Sequence, residues 1–192
     1  VTSYDSYNAH GQVTSITDAN GITTSLVYDA RQRLVQQTIN GSRTTDYSYD
    51  GVGQLTQLTL PNGSGFTYEY DAAHDLTRIT DSLGQRTDYT YDARGNRVGA
   101  ESRNSNGAVV TDLTYGYDLR SRVNQVNDSI GTTDWVLDAL GNAIEQTDPN
   151  GHTTTRQYDG LNQLTQRQGP LGDLITQQFD PAGRSTHVTA AN

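Results

Sequence analysis

The feature that most constrains this chain is a Tyr-Asp pair that returns at nearly constant spacing. Subtraction of successive positions gives steps of 21, 21, 21, 21, 26, 20, 21 and 21 residues. A fixed period of this size is typical of a repeat architecture, in which each unit packs mainly on its neighbours. We therefore predict one repeat array over residues 1–192, and we expect it to be a piece of a larger protein. The units begin at Tyr7, Tyr28, Tyr49, Tyr70, Tyr91, Tyr117, Leu137 and Tyr158, with a partial unit from Phe179.

The composition limits how thick the fold can be. Hydrophobic residues make up 32% of the chain, which is too few for a thick two-layer core, so a thin sheet is favoured over a sandwich. The net charge of −9 argues against a nucleic-acid backbone as partner. The absence of cysteine excludes disulfides and thiolate metal sites. No apolar run is long enough to span a bilayer, and the first residues lack the pattern of a signal peptide.

Each unit carries two turn signals. The fifth position from the Tyr is often Gly, as in Gly53 and Gly95, and the preceding Asp is expected to accept hydrogen bonds from the turn's own backbone. In six units a second Gly stands fourteen residues after the first residue of the unit. Asn-Gly, the strongest short-range signal for a hairpin, occurs at 20–21, 40–41, 62–63, 106–107 and 150–151. Where the first slot lacks Gly it holds Gln32, His74, Ser121 or Asn162, and Asn and His tolerate a left-handed backbone well.

Two short β-candidate runs separate these turns. The first begins with an apolar residue six after the Tyr and often has another three later, as in Leu55 and Leu58. Residues three apart lie on opposite faces of a regular strand, so either a bulge lies between them or both faces are partly covered. The returning run contains Tyr pairs two apart, such as Tyr47 and Tyr49, which share one face. We expect these pairs to stack into an aromatic ladder across neighbouring units.

One unit is therefore one hairpin, and consecutive hairpins join into a meander. The expected fold class is all-β, with tandem β-hairpin repeats of about 21 residues forming one long, curling antiparallel sheet, a segment of a spiral β-shell. The eight full units give roughly 16 strands at about 4.8 Å spacing, a ribbon on the order of 75 Å. The 26-residue unit at Tyr91 is predicted to carry a surface loop insertion at residues 104–107.

The repeated pattern also carries a family resemblance. It reads Tyr-Asp-x-x-Gly-x-Leu/Val, then Asp-x-x-Gly, then Tyr-x-Tyr-Asp. This pattern resembles the YD repeats of Rhs proteins, which also occur in the B and C components of insecticidal Tc toxins and in the teneurins. The resemblance covers essentially the whole chain. The residues expected to carry the motif are Tyr28, Asp29, Tyr49, Asp50, Gly53, Gly63, Tyr70, Asp71, Gly84, Tyr91, Asp92, Gly95, Tyr117, Asp118, Gly131, Gly151, Tyr158 and Asp159.

The resemblance implies a hollow β-shell. In bacterial members of the family the shell encloses a variable C-terminal toxin, and in teneurins a related shell supports adhesion. No variable toxin segment follows the repeats in this sequence. The stretch Asp180-Pro181-Ala182-Gly183 resembles the Asp-Pro-x-Gly motif at which Rhs cores are self-cleaved. It stands in register with the other units and is interpreted as an ordinary turn, so cleavage is not expected.

No catalytic, cofactor-binding or metal-binding residue is assigned. The four histidines are scattered, and His74 and His152 fall in or beside turns. The loops at residues 18–21 and 148–151 weakly resemble calcium loops, but they lack the distal Glu and are interpreted as Asx-type turns. Ser64 lacks the frame of a nucleophile elbow, and Gly51-Val-Gly53 lacks the Lys of a phosphate loop.

The sequence supports two hypotheses for the function, and it disfavours an enzyme. The first is a structural segment of an Rhs-type polymorphic toxin shell that encloses a C-terminal toxin cargo, with the cargo and the remaining repeats of the parent polypeptide as partners. The alternative is an adhesive module whose Tyr-lined strands bind a cell-surface carbohydrate or protein. The parent is expected to be a secreted or cell-surface bacterial protein, and the isolated chain is expected to self-associate through its sheet edges.

Overall fold

The computed structural model describes residues 1–191. All the regular secondary structure within these residues is β-strand. The first nine strands are β1 (Ser3–Tyr7), β2 (Val13–Thr17), β3 (Thr23–Tyr28), β4 (Leu34–Ile39), β5 (Arg43–Tyr49), β6 (Leu55–Thr59), β7 (Gly65–Tyr70), β8 (Leu76–Asp81) and β9 (Arg86–Tyr91). The others are β10 (Arg97–Arg103), β11 (Val109–Tyr117), β12 (Val123–Asn127), β13 (Thr132–Leu137), β14 (Ala143–Thr147), β15 (Thr153–Tyr158), β16 (Leu164–Gln168), β17 (Leu174–Phe179) and β18 (Ser185–Ala191). The described residues contain no helix with the length and hydrophobicity that a membrane crossing needs.

The chain divides into two compact units. One comprises Val1–Tyr89 with Ser102–Val110, and the other comprises Thr90–Glu101 with Thr111–Asn192. In the first unit, strands β1 to β9 pair antiparallel in chain order, from β1 with β2 to β8 with β9. In the second unit, the strands from β11 to β18 follow the same rule. The expected all-β fold of tandem antiparallel hairpins is confirmed.

A β-bulge explains the three-residue spacing of the apolar positions. Tyr49 lies opposite Leu55, and Tyr47 lies opposite Leu58, with a register shift between these two pairs. The shift leaves Thr56 as an extra residue, so Leu55 and Leu58 face the same side as the two tyrosines. Of the two alternatives that the sequence leaves open, the bulge is therefore the one adopted. The same shift recurs at the pairs Tyr28/Leu34, Tyr70/Leu76, Tyr117/Val123, Leu137/Ala143, Tyr158/Leu164 and Phe179/Ser185.

The sheet has no buried core within the part of the chain described. No hydrophobic or polar side chain among residues 1–191 is buried. In β3 the side chains alternate, with Leu26 and Tyr28 half-buried on one face and Val27 on the other face 48% exposed. The expectation of a thin sheet rather than a sandwich is confirmed, because an opposing layer would bury one of these faces.

Nearly every turn uses the same backbone geometry. After β3, the N–H of Asp29 donates to the carbonyl of Arg33 at 2.9 Å, and the N–H of Gln32 donates back to the carbonyl of Asp29 at 2.9 Å. Gln32 has a φ of 65°, the left-handed conformation that three-residue hairpin loops require at this position. The other three non-glycine residues in this slot also have positive φ, as their position in the repeat predicts: His74 (72°), Ser121 (59°) and Asn162 (69°).

Two turns differ from this geometry. In the turn between β4 and β5 the two central residues are both left-handed, with a φ of 53° at Asn40 and 69° at Gly41. The turn that begins at Asp128 is tighter, because the N–H of Asp128 donates to the carbonyl of Gly131 at 3.1 Å. All five Asn-Gly pairs lie in hairpin turns, as predicted, but only in the pair at 40–41 are both residues left-handed.

The predicted loop insertion in the 26-residue unit is wrong. Residues 104–108 form an ordinary turn, in which the N–H of Gly107 donates to the carbonyl of Asn104 at 2.9 Å. The additional residues lengthen the strands instead, since β10 has 7 residues and β11 has 9. The physical reason is that Asn104 closes the turn as an Asp does, while the residues beyond it, beginning with Val109 and Val110, favour extended backbone.

The left-handed slot provides a stability test. Replacing Gln32 with Gly is expected to raise the free energy of unfolding by about 0.5–1 kcal/mol, because the left-handed strain exceeds the added chain entropy. The matched control is Gly21→Ala, at a φ of +79° with open space around the new Cβ, which should lower stability by about 1 kcal/mol. The measurement is the urea midpoint followed by circular dichroism. A lower midpoint for Gln32→Gly would contradict the argument.

Candidate functional site

The Asp of each Tyr-Asp pair closes the turn that follows it. In Asp118, one carboxylate oxygen accepts the backbone N–H groups of Arg120 at 2.9 Å and Arg122 at 3.0 Å. The other oxygen accepts the Arg122 Nε–H at 2.7 Å. The Arg122 side chain and these backbone donors hold the pKa of Asp118 below its ordinary value of 3.8. The same backbone acceptance is made by Asp29, Asp50, Asp71, Asp92, Asp138, Asp159 and Asp180.

The Tyr of most pairs links its unit to the preceding one. The Tyr49 hydroxyl donates to the carbonyl of Leu34 at 2.9 Å. The ladder between β4 and β5 ends at the pair Gln36/Asp46, so the strands separate before they reach this edge, and the tyrosine hydroxyl bridges the gap. Equivalent bonds to a carbonyl fifteen residues earlier are made by Tyr28 (2.9 Å), Tyr70 (2.9 Å) and Tyr158 (3.4 Å). Tyr117 donates to the carbonyl of Arg97 at 2.7 Å, twenty residues earlier, because its unit is longer.

The expected aromatic ladder is not formed among the described strand pairs. Tyr47 and Tyr49 lie opposite Leu58 and Leu55, and Tyr68 lies opposite Ile79. A strand with aliphatic residues separates each Tyr-bearing strand from the next, so the cross-strand contacts are aromatic–aliphatic. The predicted ladder is wrong because it placed the Tyr-bearing strands of consecutive units side by side. The other strand of each hairpin lies between them.

Polar side chains four residues after the Asp connect consecutive turns. Arg33 donates through Nη1 to the carbonyl of Asp50 at 3.2 Å, and its guanidinium lies 4.6 Å from the ring centre of Tyr49. Arg122 donates to the carbonyl of Asp138 at 2.7 Å. The sequence interpretation missed this position, although a polar residue stands there in every unit. These residues are Gln12, Arg33, Gln54, Asp75, Asn96, Arg122, Asn142, Gln163 and Arg184.

The residues weighed for metal binding lie in turns. Asp18 accepts the N–H groups of Asn20 at 2.8 Å and Ile22 at 2.9 Å, which confirms the Asx-type turn. Asp148 accepts those of Asn150 and His152 in the same way. Within residues 1–191, no group of three or more His, Cys, Asp or Glu side chains is arranged to hold a metal ion.

The residues weighed for catalysis also lie in turns. The Ser64 hydroxyl donates to the side-chain oxygen of Asn62 at 2.6 Å, at the tip of a hairpin. Asp180 accepts the N–H groups of Ala182 and Arg184 at 2.9 Å each, so the Asp-Pro stretch forms the same turn as the other units. His74 contacts the side-chain oxygen of Gln54 at 3.0 Å through Nδ1.

These turns, bulges and tyrosine bonds define a protein built from tandem β-hairpin repeats. The RHS repeat family matches residues 7–42, 28–65, 70–109 and 138–174. The matches cover more than half of the chain, and the chain belongs to this family. The resemblance on which the sequence interpretation depends is confirmed. A comparison with curated protein sequences gives no significant match.

Solved structures share the fold. The crystal structure of TcdB2-TccC3-TEV is 20% identical and covers 98% of this chain with a TM-score of 0.75. A Photorhabdus luminescens Tc holotoxin pore with a substituted TccC3 gives the same values. The crystal structure of TcdB2-TccC3 without its hypervariable C-terminal region is 20% identical, covers 96% of this chain and has a TM-score of 0.76. This chain spans 12% of the length of each of these proteins, and at this identity the likeness shows the fold.

The contribution of the tyrosine hydrogen bond to stability can be tested by removing only the hydroxyl group. Tyr49→Phe removes the hydroxyl that bonds the Leu34 carbonyl and should lower the free energy of unfolding by about 1 kcal/mol. Tyr47→Phe is the matched control, because no hydrogen bond of its hydroxyl is present in the described structure, and it should have little effect. Chemical denaturation of both variants measures the difference. Equal losses in the two variants would refute the role of the hydroxyl.

The turn carboxylates predict a loss of stability in acid. The pKa of folded Asp118 lies below 3.8, so its ionised form stabilises the fold above the unfolded value, and this contribution is lost as the pH falls through the folded value. Asp29, Asp50, Asp92, Asp138, Asp148 and Asp180 shift in the same direction. The urea midpoint should therefore decrease as the pH is lowered through and below 3.8.

Two variants separate the charge of the turn from its hydrogen bonds. Asp118→Asn keeps the acceptor oxygen, as Asn8 and Asn104 do in their own turns, and should weaken the acid dependence while keeping the turn. Asp118→Ala removes both and should lower the urea midpoint at neutral pH more than Asp118→Asn does. Identical midpoints for the two variants would show that the backbone bonds do not stabilise the turn.

Proposed function

We propose that this chain is a structural segment of a toxin shell that encloses and shields a cargo polypeptide, and that it catalyses no reaction. The observation that carries the proposal is the repetition of one turn, one bulge and one tyrosine bond along the chain, in a fold shared with TcdB2-TccC3 structures. A reaction centre would interrupt this repetition with side chains that serve a different purpose. The residues singled out in the sequence, including Tyr49 and Asp118, act in this proposal as the repeat's structural motif.

The construction of the sheet is suited to enclosing a cargo polypeptide. Backbone hydrogen bonds between strands replace a core, so the sheet can extend by further units without becoming thicker. The many Gln, Asn, Thr and Ser side chains leave both faces substantially polar, which limits adhesion to an enclosed polypeptide. The proposed partners are the cargo and the other repeats of the same polypeptide, with residues 1–192 forming one array. The proposed parent is a secreted or cell-surface bacterial protein.

Protease protection tests enclosure directly. The parent polypeptide should keep the segment beyond its repeats resistant to an added protease, whereas the same segment expressed alone should be cleaved. Asp118→Ala combined with Tyr49→Phe should increase its cleavage in the parent, and Tyr47→Phe is the control. Equal cleavage with and without the repeats would overturn the proposal. Saturable binding of the isolated chain to a glycan array would favour the adhesive alternative instead.

The open strand edges predict self-association of the isolated chain. In the described structure β1 pairs with β2 and β18 pairs with β17, so each has one side without a partner strand. Light scattering should show a mass that increases with concentration. Val188→Lys, at a residue 58% exposed on β18, should reduce the association, whereas Val52→Lys, at a turn residue 67% exposed, should not. A strictly monomeric chain over a wide concentration range would contradict the prediction.

A further inference from the structure

We propose that Asn40 is the preferred site of spontaneous deamidation in this protein. The chain has five Asn-Gly pairs, and the Asn and Gly of every pair are exposed. Exposure therefore does not distinguish them, and sequence alone ranks them as equals. The difference lies in the hydrogen bonding of the glycine N–H. The pairs are Asn20-Gly21, Asn40-Gly41, Asn62-Gly63, Asn106-Gly107 and Asn150-Gly151.

The chemistry requires the glycine nitrogen to act as a nucleophile. After losing its proton to base, this nitrogen attacks the side-chain carbonyl carbon of the preceding Asn. A carbon–nitrogen bond forms, the side-chain nitrogen leaves as ammonia with the proton returned to it, and a succinimide ring remains. Water then opens the ring at either carbonyl, which gives Asp or isoaspartate. Glycine favours the reaction because it has no Cβ to hinder the attack.

Four of the five glycine N–H groups are engaged by their turn. Gly21 donates to the carbonyl of Asp18 at 3.0 Å, and Gly63 donates to that of Leu60 at 2.9 Å. Gly107 and Gly151 make the same bond, at 2.9 Å each, to the carbonyls three residues earlier. A donated hydrogen bond opposes loss of the proton and holds the nitrogen in the turn. The reaction at these sites therefore requires the turn to open first.

The pair at Asn40 lacks this protection. Its turn is closed by the N–H of Ser42, which donates to the carbonyl of Ile39 at 3.3 Å. The N–H of Asn40 donates to the carbonyl of Thr23 at 2.8 Å. In the described structure the N–H of Gly41 has no hydrogen-bond acceptor, so the nucleophile is available without opening the turn.

The two Asp-Gly pairs form the same ring far less readily. The reaction there needs a protonated carboxyl, because a carboxylate is a poor electrophile. Asp50 accepts the N–H groups of Gln54, Gly53 and Val52, which lower its pKa and keep it ionised. Asp159 accepts the N–H groups of Leu161 and Gln163 at 2.9 Å each.

Deamidation at Asn40 changes the hairpin between β4 and β5. Conversion to Asp adds a negative charge three residues before Arg43, the first residue of β5. Conversion to isoaspartate inserts an extra backbone carbon into the turn. Because the turn sets the strand register, the isoaspartate form should disturb the pairing of Ile39 with Arg43.

Peptide mapping by mass spectrometry tests the proposal on the full folded chain. The chain is incubated in mildly alkaline buffer, and tryptic cleavage after Arg33 and Arg43 isolates Asn40 as the single Asn-Gly pair of its peptide. Deamidation at Asn40 should be at least about fivefold faster than at the other four sites, the factor that one net backbone hydrogen bond supplies. A rate at Asn40 equal to or below the others overturns the proposal.

Two controls separate structure from local sequence. In urea-denatured chain the five rates should converge, and an unchanged lead of Asn40 there would overturn the structural explanation. Asp18→Ala loosens the turn that holds Gly21, so it should raise the rate at Asn20 and leave the rate at Asn40 unchanged. No increase at Asn20 would contradict protection by the turn.

Discussion

The closure of most turns by an Asp or Asn side-chain oxygen is the interaction on which the rest of the structure depends. In Asp118 this oxygen accepts the N–H groups two and four residues further on. A left-handed residue such as Ser121 then lets the chain reverse within three residues. Since the turn sets the register of the hairpin, it decides which face each Tyr and Leu occupies.

The second constraint is the absence of a buried core within residues 1–191. Cohesion comes instead from strand pairing and from bonds between consecutive units, such as the Tyr49 hydroxyl on the Leu34 carbonyl and Arg33 on the Asp50 carbonyl. Interactions of this kind reach only the next unit, which is the energetic pattern of repeat proteins. A thin wall of any length can be built in this way, because each added unit brings its own links.

The parts of the fold that were predictable rest on local chemistry. The positive φ at Gln32 and His74 was predictable because these residues occupy the slot that other units fill with Gly. The presence of the bulge was open, because a three-residue apolar spacing fits either a bulge or a strand with both faces partly covered. The predicted loop insertion in the 26-residue unit was wrong, because added residues can lengthen either a loop or a pair of strands. Its strand β11 has 9 residues.

The sequence by itself determined the position of nearly every turn and the family, because these follow from residues a few positions apart. Only the tertiary structure decided that the Tyr hydroxyl bonds a carbonyl of the preceding unit, and that aliphatic residues lie between successive tyrosines. Only it distinguished Gly41 from the other Asn-Gly glycines. The physical reason is the same in each case. Hydrogen-bond partners across strands depend on register and bulges, which the period of a sequence does not contain.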